Sequence, residues 1–103
     1  MRYEIIFSPE AEADIAALKA SERAKVLDGI ETFLRYEPEK TSKSRIKRLR
    51  QMEQPQYRLR IDDLRTFYDV SYTDDGGGIV EILRIREKSE AMKWLAEFGR
   101  RSE

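Results

Sequence analysis

The hydrophobic period of this chain changes three times along its length, and a chain with two periods must pack helices against a sheet. Between residues 9 and 34 the apolar positions recur at helical spacing: Ala11, Ile15 and Leu18, then Val26, Ile30, Phe33 and Leu34. Ser8 and Pro9 supply an N-cap and a proline at the first helical position, so a helix is expected over about Pro9 to Lys19. Ser21 is a cap for a second helix, expected to run until Pro38 stops it. Before them, Tyr3, Ile5 and Phe7 alternate as a short strand. From residue 57 the period falls to two. Tyr57, Leu59 and Ile61 alternate with Arg58 and Arg60, Asp62-Asp63 marks a turn, and Arg65 to Thr73 alternates again. Asp74 to Gly78 is a second turn, and Ile79 to Arg86 closes the run. Helical spacing returns between Ser89 and Phe98, ended by Gly99. Residues 39–56 are polar and basic, broken by Pro55, and read as a loop with a short strand.

The expected fold is therefore α+β: an N-terminal strand, a helical hairpin, an antiparallel three-stranded meander and a short C-terminal helix. A helical hairpin is too thin to bury both of its stripes, so the sheet is its partner. With 103 residues, 40% hydrophobic, the chain is sized for one domain over residues 1–103. It has no cysteine and no histidine, which excludes disulfides, thiolate nucleophiles and the usual neutral-pH general base. No metal site or cofactor is expected. No apolar run approaches membrane-spanning length and the N-terminus lacks a signal-peptide pattern, so a cytoplasmic location without membrane contact is expected.

Twenty basic residues offset twenty acidic ones, yet the charge is unevenly distributed. Lys43, Arg45, Lys47, Arg48, Arg50, Arg58, Arg60 and Arg65 face only Glu53, Asp62 and Asp63 over the same stretch, while acids dominate the N-terminal third. Local basic patches bind phosphates whatever the net charge. Strand alternation sharpens the patch: Arg58 and Arg60 lie opposite Tyr57, Leu59 and Ile61, and Arg84 and Arg86 lie opposite Leu83 and Ile85. On the middle strand Thr66, Tyr68, Val70 and Tyr72 are expected inward, and Arg65, Phe67 and Asp69 outward. Five arginines then converge on one outer face if the three strands are neighbours. The plainer alternative is a solvated outer face whose arginines pair with Asp62, Asp69 or Glu81.

The element order resembles the RelE/ParE superfamily of toxins from type II toxin–antitoxin systems. So do the segments Tyr57-Arg58-Leu59-Arg60, Leu64-Arg65-Thr66-Phe67-Tyr68 and Arg86-Glu87-Lys88-Ser89-Glu90-Ala91-Met92. The resemblance covers nearly the whole chain. It implies a RelE-like, metal-independent endoribonuclease that cleaves messenger RNA on the ribosome by attack of a ribose 2′-hydroxyl on the adjacent phosphate. Arg58 and Arg60 then match a basic pair that binds and activates RNA, Arg65 a phosphate-stabilising arginine, and Arg86 an arginine acting at the leaving group. Lys43, Arg45, Lys47, Arg48 and Arg84 are further candidate RNA contacts. At Met92 the pattern departs from RelE, which has a catalytic tyrosine there; a thioether transfers no protons. Lys88, Tyr57, Tyr68 and Tyr72 are the candidate replacements, with Lys88 first because it adjoins Arg86. The alternatives are a ParE-like inhibitor of DNA gyrase, or a member without activity that only binds its antitoxin. All three imply a cognate antitoxin as partner.

Overall fold

Two residues after the first strand, the chain turns into a helix that crosses the edge of the sheet. The structure, a computed structural model, describes residues 1–102. Strand β1 (Tyr3–Phe7) is followed by α1 (Pro9–Ala17) and α2 (Ala20–Leu34). Short strands β2 (Ile46–Arg48) and β3 (Met52–Gln54) precede the long strands β4 (Tyr57–Ile61), β5 (Leu64–Tyr72) and β6 (Gly78–Glu87). Helix α3 (Lys88–Phe98) and the two-residue β7 (Arg100–Arg101) end the described chain. The main sheet has five strands in the order β1-β6-β5-β4-β2, and β3 pairs with β7 in a small second sheet.

The expected meander β4-β5-β6 is present, and two strands extend it. β1 adds in parallel beside β6, with Tyr3 opposite Gly78 and Phe7 opposite Ile82. That parallel pairing requires a crossover, and the helical hairpin is that crossover. β2 adds at the far edge against β4. The basic segment 39–56 thus holds two short strands where one was expected. Residues Leu34, Leu59, Tyr68, Val80 and Ile82 are fully buried between the hairpin and the sheet, joined by Val26 and Ile30 of α2.

Local capping explains the helix boundaries. The Ser8 hydroxyl accepts from Ala11 N at 3.0 Å and donates to Leu83 O at 2.9 Å, so one side chain starts α1 and ties it to β6. Helix α1 ends at Ala17, short of the expected Lys19, because Arg23 from α2 donates to the carbonyls of Ile15, Ala16 and Leu18. Lys19 takes the N-cap position of α2 without a side-chain bond, where Ser21 was expected. Helix α2 stops at Leu34, ahead of Pro38. There the Arg35 carbonyl accepts from Tyr3 N at 2.7 Å, and Arg35 Nη1 donates to Tyr3 O at 2.9 Å. The backbone groups of Tyr3, at the start of the edge strand β1, are thereby occupied.

The sheet is not one-sided. Phe67 was expected outward, and it points away from the hairpin as the alternation requires, yet it is buried. Trp94 of α3 packs on it with ring centroids 4.8 Å apart. The C-terminal helix therefore lies across the outer face, where the sequence pattern fixed its stripe but not its seat.

Candidate anion-binding face

Cross-strand register places the arginines in two rows. Arg60 on β4 is opposite Arg65 on β5, and Arg65 is opposite Arg86 on β6. In the next row Lys47 on β2 is opposite Arg58, Arg58 opposite Phe67, and Phe67 opposite Arg84. A register shift in β6 between the partners of Phe67 and Tyr68 makes this convergence possible. Before the shift Val80 and Ile82 face the core; after it Ile85 does, which turns Arg84 and Arg86 to the side of Arg65 and Phe67. The bulge also alters one expectation, since Leu83 and Ile85 do not share the core face: Ile85 is buried among core residues, whereas Leu83 borders a depression with Trp94 and Phe98.

The members of the face differ in how they are satisfied. Arg65 is only 8% exposed, and its Nη1 donates to the carbonyls of Asp62 and Leu64 at 3.0 and 3.1 Å. Arg58 Nη2 reaches Ser44 O at 3.3 Å. The Nε groups of Arg58 and Arg60 are buried and have no acceptor among the described residues. Burial lowers the Arg58 guanidinium below its usual range, and repulsion from Arg65 and Arg60 adds to it. Arg65 is lowered by burial and by Arg60, partly offset by Asp63. Both shifts come first from burial of the charge and second from the neighbouring cations.

Asp14 of α1 is the carboxylate of this face. Its Oδ1 lies 3.0 Å from Arg84 Nη2 and 3.0 Å from Arg86 Nη1, and its Oδ2 accepts from Ile85 N at 2.9 Å. Arg84 Nε is also 3.0 Å from Oδ2, but off-axis, so the contact is an ion pair without a directed hydrogen bond. Asp62, Asp69 and Glu81, the partners weighed from sequence, do not serve. Asp62 pairs with Lys25 at 3.2 Å, and Asp69 accepts from Gln54 and the backbone of Gln56. Asp14 was missed because it sits about 70 residues away on a helix; its one signal was an acid on the otherwise apolar side of α1.

Other candidates fall elsewhere. Lys88 opens α3 and borders a depression with Glu22, Asp63, Leu64, Glu87 and Ser89, whose lining includes none of the arginines. Arg45 folds back over the Phe33 ring at 4.7 Å and donates to Arg60 O at 2.8 Å. Arg48 lies over the Tyr57 ring at 5.4 Å and donates to the carbonyls of Leu49 and Gln56, both at 2.8 Å. Both are directed away from the arginine rows, and Lys43 is exposed in the loop before β2. Lys47 and Arg84 are the two additional basic candidates that join the face. The candidate tyrosines do not. Tyr68 is fully buried on the helix side and donates to Pro38 O at 2.6 Å, and burial drives its phenol far above the usual range. Tyr57 and Tyr72 donate to Glu39 on that same side, and both are raised, Tyr57 chiefly by burial and Tyr72 chiefly by that hydrogen bond. Met92 is 73% exposed.

A family model described as the ParE toxin of the type II toxin-antitoxin system, parDE, matches residues 5–92. The chain belongs to this ParE toxin family. Its fold is shared with solved structures at low identity. In the toxin–antitoxin complex RelBE2 of Mycobacterium tuberculosis, a chain is 24% identical with a TM-score of 0.64, over 84% of this chain and 99% of that one. In the archaeal RelE–RelB complex of Pyrococcus horikoshii OT3 the values are 18% and 0.55, over 85% and 97%. No curated protein matches. The ParE-family match spans α1, the meander and the start of α3, so every residue of the two arginine rows lies within it.

Proposed function

We propose that this ParE-family toxin binds the phosphate backbone of messenger RNA on its arginine face and acts as a RelE-like, ribosome-dependent endoribonuclease. One observation carries the reading: Arg60 and Arg65 stand side by side on adjacent strands with Arg58 in the neighbouring row, and the Nε groups of Arg58 and Arg60 are buried without an acceptor among the described residues. Guanidinium forks match phosphate oxygens, and a fixed array of them stabilises charge that builds on a phosphate during in-line attack. Arg65, held by two carbonyls, is the rigid member, while Arg58 and Arg60 are the under-satisfied ones. The chemistry of such a face is electrostatic. Arginine is a poor proton shuttle, and the tyrosines lie on the other side of the sheet. A basic face of this kind, with the exposed Phe98 of α3 lining a depression beside Arg84, suits an antitoxin segment that is acidic and amphipathic.

Mapping of RNA 5′ ends after induction tests the reading. New ends within translated codons are expected, and they disappear in Arg58→Ala/Arg60→Ala. Growth arrest without such ends, together with inhibition of DNA gyrase supercoiling by the purified toxin, would replace the nuclease by a gyrase inhibitor. Met92, an exposed thioether that transfers no protons, favours that second reading, since binding to gyrase needs no proton transfer.

A further inference from the structure

Asp14 divides the arginine face into two unlike halves. Its carboxylate, with a side chain only 10% exposed, collects the backbone N–H of Ile85 and donors from both Arg84 and Arg86. Arg86 also sends the same Nη1 to the carbonyl of Ile85 at 3.3 Å, and Arg84 donates Nη2 to Asp14 while its Nε lies off-axis within ion-pair distance of the same carboxylate. Ile85 has a donor to spare because β1 ends at Phe7 and leaves the second half of β6 with an open edge, which α1 crosses. Across the sheet the situation is reversed. Arg58 and Arg60 have no carboxylate within ion-pair distance among the described residues; their Nε groups, like that of Arg84, are shielded from water without a hydrogen-bond acceptor, but Arg84 has the Asp14 charge beside it and they have none. A buried donor without a partner gains most from an arriving anion, whereas an anion approaching Arg84 or Arg86 meets a fixed carboxylate of its own sign.

We infer that Asp14 is an internal counter-anion, a positioning residue that withholds Arg84 and Arg86 from RNA and confines the primary phosphate contacts to Arg58, Arg60 and Arg65. The inference rests on reading the face as RNA-binding, and it adds which arginines carry the contact and what sets the division. Holding two of five guanidiniums in an internal pair also limits self-repulsion, which lets a folded chain keep five of them together. The same carboxylate holds α1 against β6, so the division is built into the scaffold and does not depend on a mobile side chain.

Salt-dependent binding of an oligouridylate 12-mer to the purified toxin tests this without reference to cleavage. For a single strand the slope of log affinity against log salt is about −0.7 per phosphate contact, so three arginines give about −2. Asp14→Asn keeps an acceptor but removes the charge, and it is expected to steepen the slope by about 0.7 to 1.4, one to two added contacts. Tighter binding at low salt should accompany it. A folded Asp14→Asn protein with an unchanged slope overturns the inference and leaves Asp14 as a helix anchor only. If that variant does not fold, the wild-type chain decides. On titration with the 12-mer, guanidinium NMR signals of Arg58 and Arg60 should shift while those of Arg84 and Arg86 stay; equal shifts overturn the proposal. Absence of any oligouridylate binding overturns it too, even where ribosomal cleavage is found. A steepened slope in a toxin that produces no cleaved messages instead removes the nuclease reading and keeps the role of Asp14.

Discussion

Arg58 is held at a cost to the folded chain. Its guanidinium is lowered by burial and by its neighbours Arg65 and Arg60, which means that folding disfavours its charged form. For a cation with a depressed folded-state pKa the penalty is present below that pKa and is relieved only as pH rises through it, which for arginine lies above any useful working range. Arg58→Gln is therefore expected to be neutral or to stabilise by up to about 1 kcal/mol in urea unfolding, while it weakens RNA binding. A clear loss of stability would show that Arg58 is structural. Arg65 is the opposite case. Its Nη1 satisfies the carbonyls of Asp62 and Leu64 at the turn, so Arg65→Ala should cost about 1 to 3 kcal/mol. Asp62 occupies the left-handed region at φ 51°, and that turn is what Arg65 braces. Loss of toxicity in Arg65→Ala is thus a stability effect as much as a phosphate effect, and the Arg58 variant separates the two.

At the scale of elements, α2 approaches β4 closely at Gly29. A Cβ on Gly29, in the middle of α2, would collide with the Ile61 side chain, which is itself buried. Alanine is the better helix former by about 1 kcal/mol, so the sign of Gly29→Ala depends on that collision. It is expected to destabilise by about 1 to 3 kcal/mol, and Ile61→Val, which removes the outermost methyl, should recover part of the loss. A double-mutant cycle by chemical denaturation measures the coupling; strictly additive effects would place the strain elsewhere. The glycine was present in the sequence, but its reason was not. Periodicity located the stripe of Val26, Ile30 and Leu34, and alternation located the buried face of β4, because each depends on the residue's own neighbours. What packs on what depends on residues far apart. The parallel seat of β1, the Asp14 bridge and the pairing of β3 with β7 all join segments tens of residues distant, and no local pattern announces them. The face of Arg58, Arg60 and Arg65 was legible from alternation alone; Arg84 and Arg86 share it only because of a bulge in β6 that shifts the core positions from Ile82 to Ile85.

For the molecule as a whole, the two faces of the sheet are covered unequally. The hairpin side is a closed core, whereas the outer side is covered by α3 through Trp94 on Phe67, with Phe98 beyond it 68% exposed. Ala91 is the one buried residue of α3. Helix α3 therefore has much less apolar surface holding it than α2, and its anchor lies in the row between Arg58 and Arg84. Weakly anchored elements open below the global unfolding free energy. Trp94 is the only tryptophan, so its emission reports the seat of α3 while far-UV circular dichroism is dominated by the hairpin and the sheet. In a urea titration the Trp94 signal is expected to change at a lower concentration than the dichroism, as α3 leaves Phe67 before the core melts. Phe67→Ala should bring that first transition to still lower urea, because the ring that seats Trp94 is gone. Coincident transitions in the wild-type chain would mean that α3 and the sheet unfold as one unit.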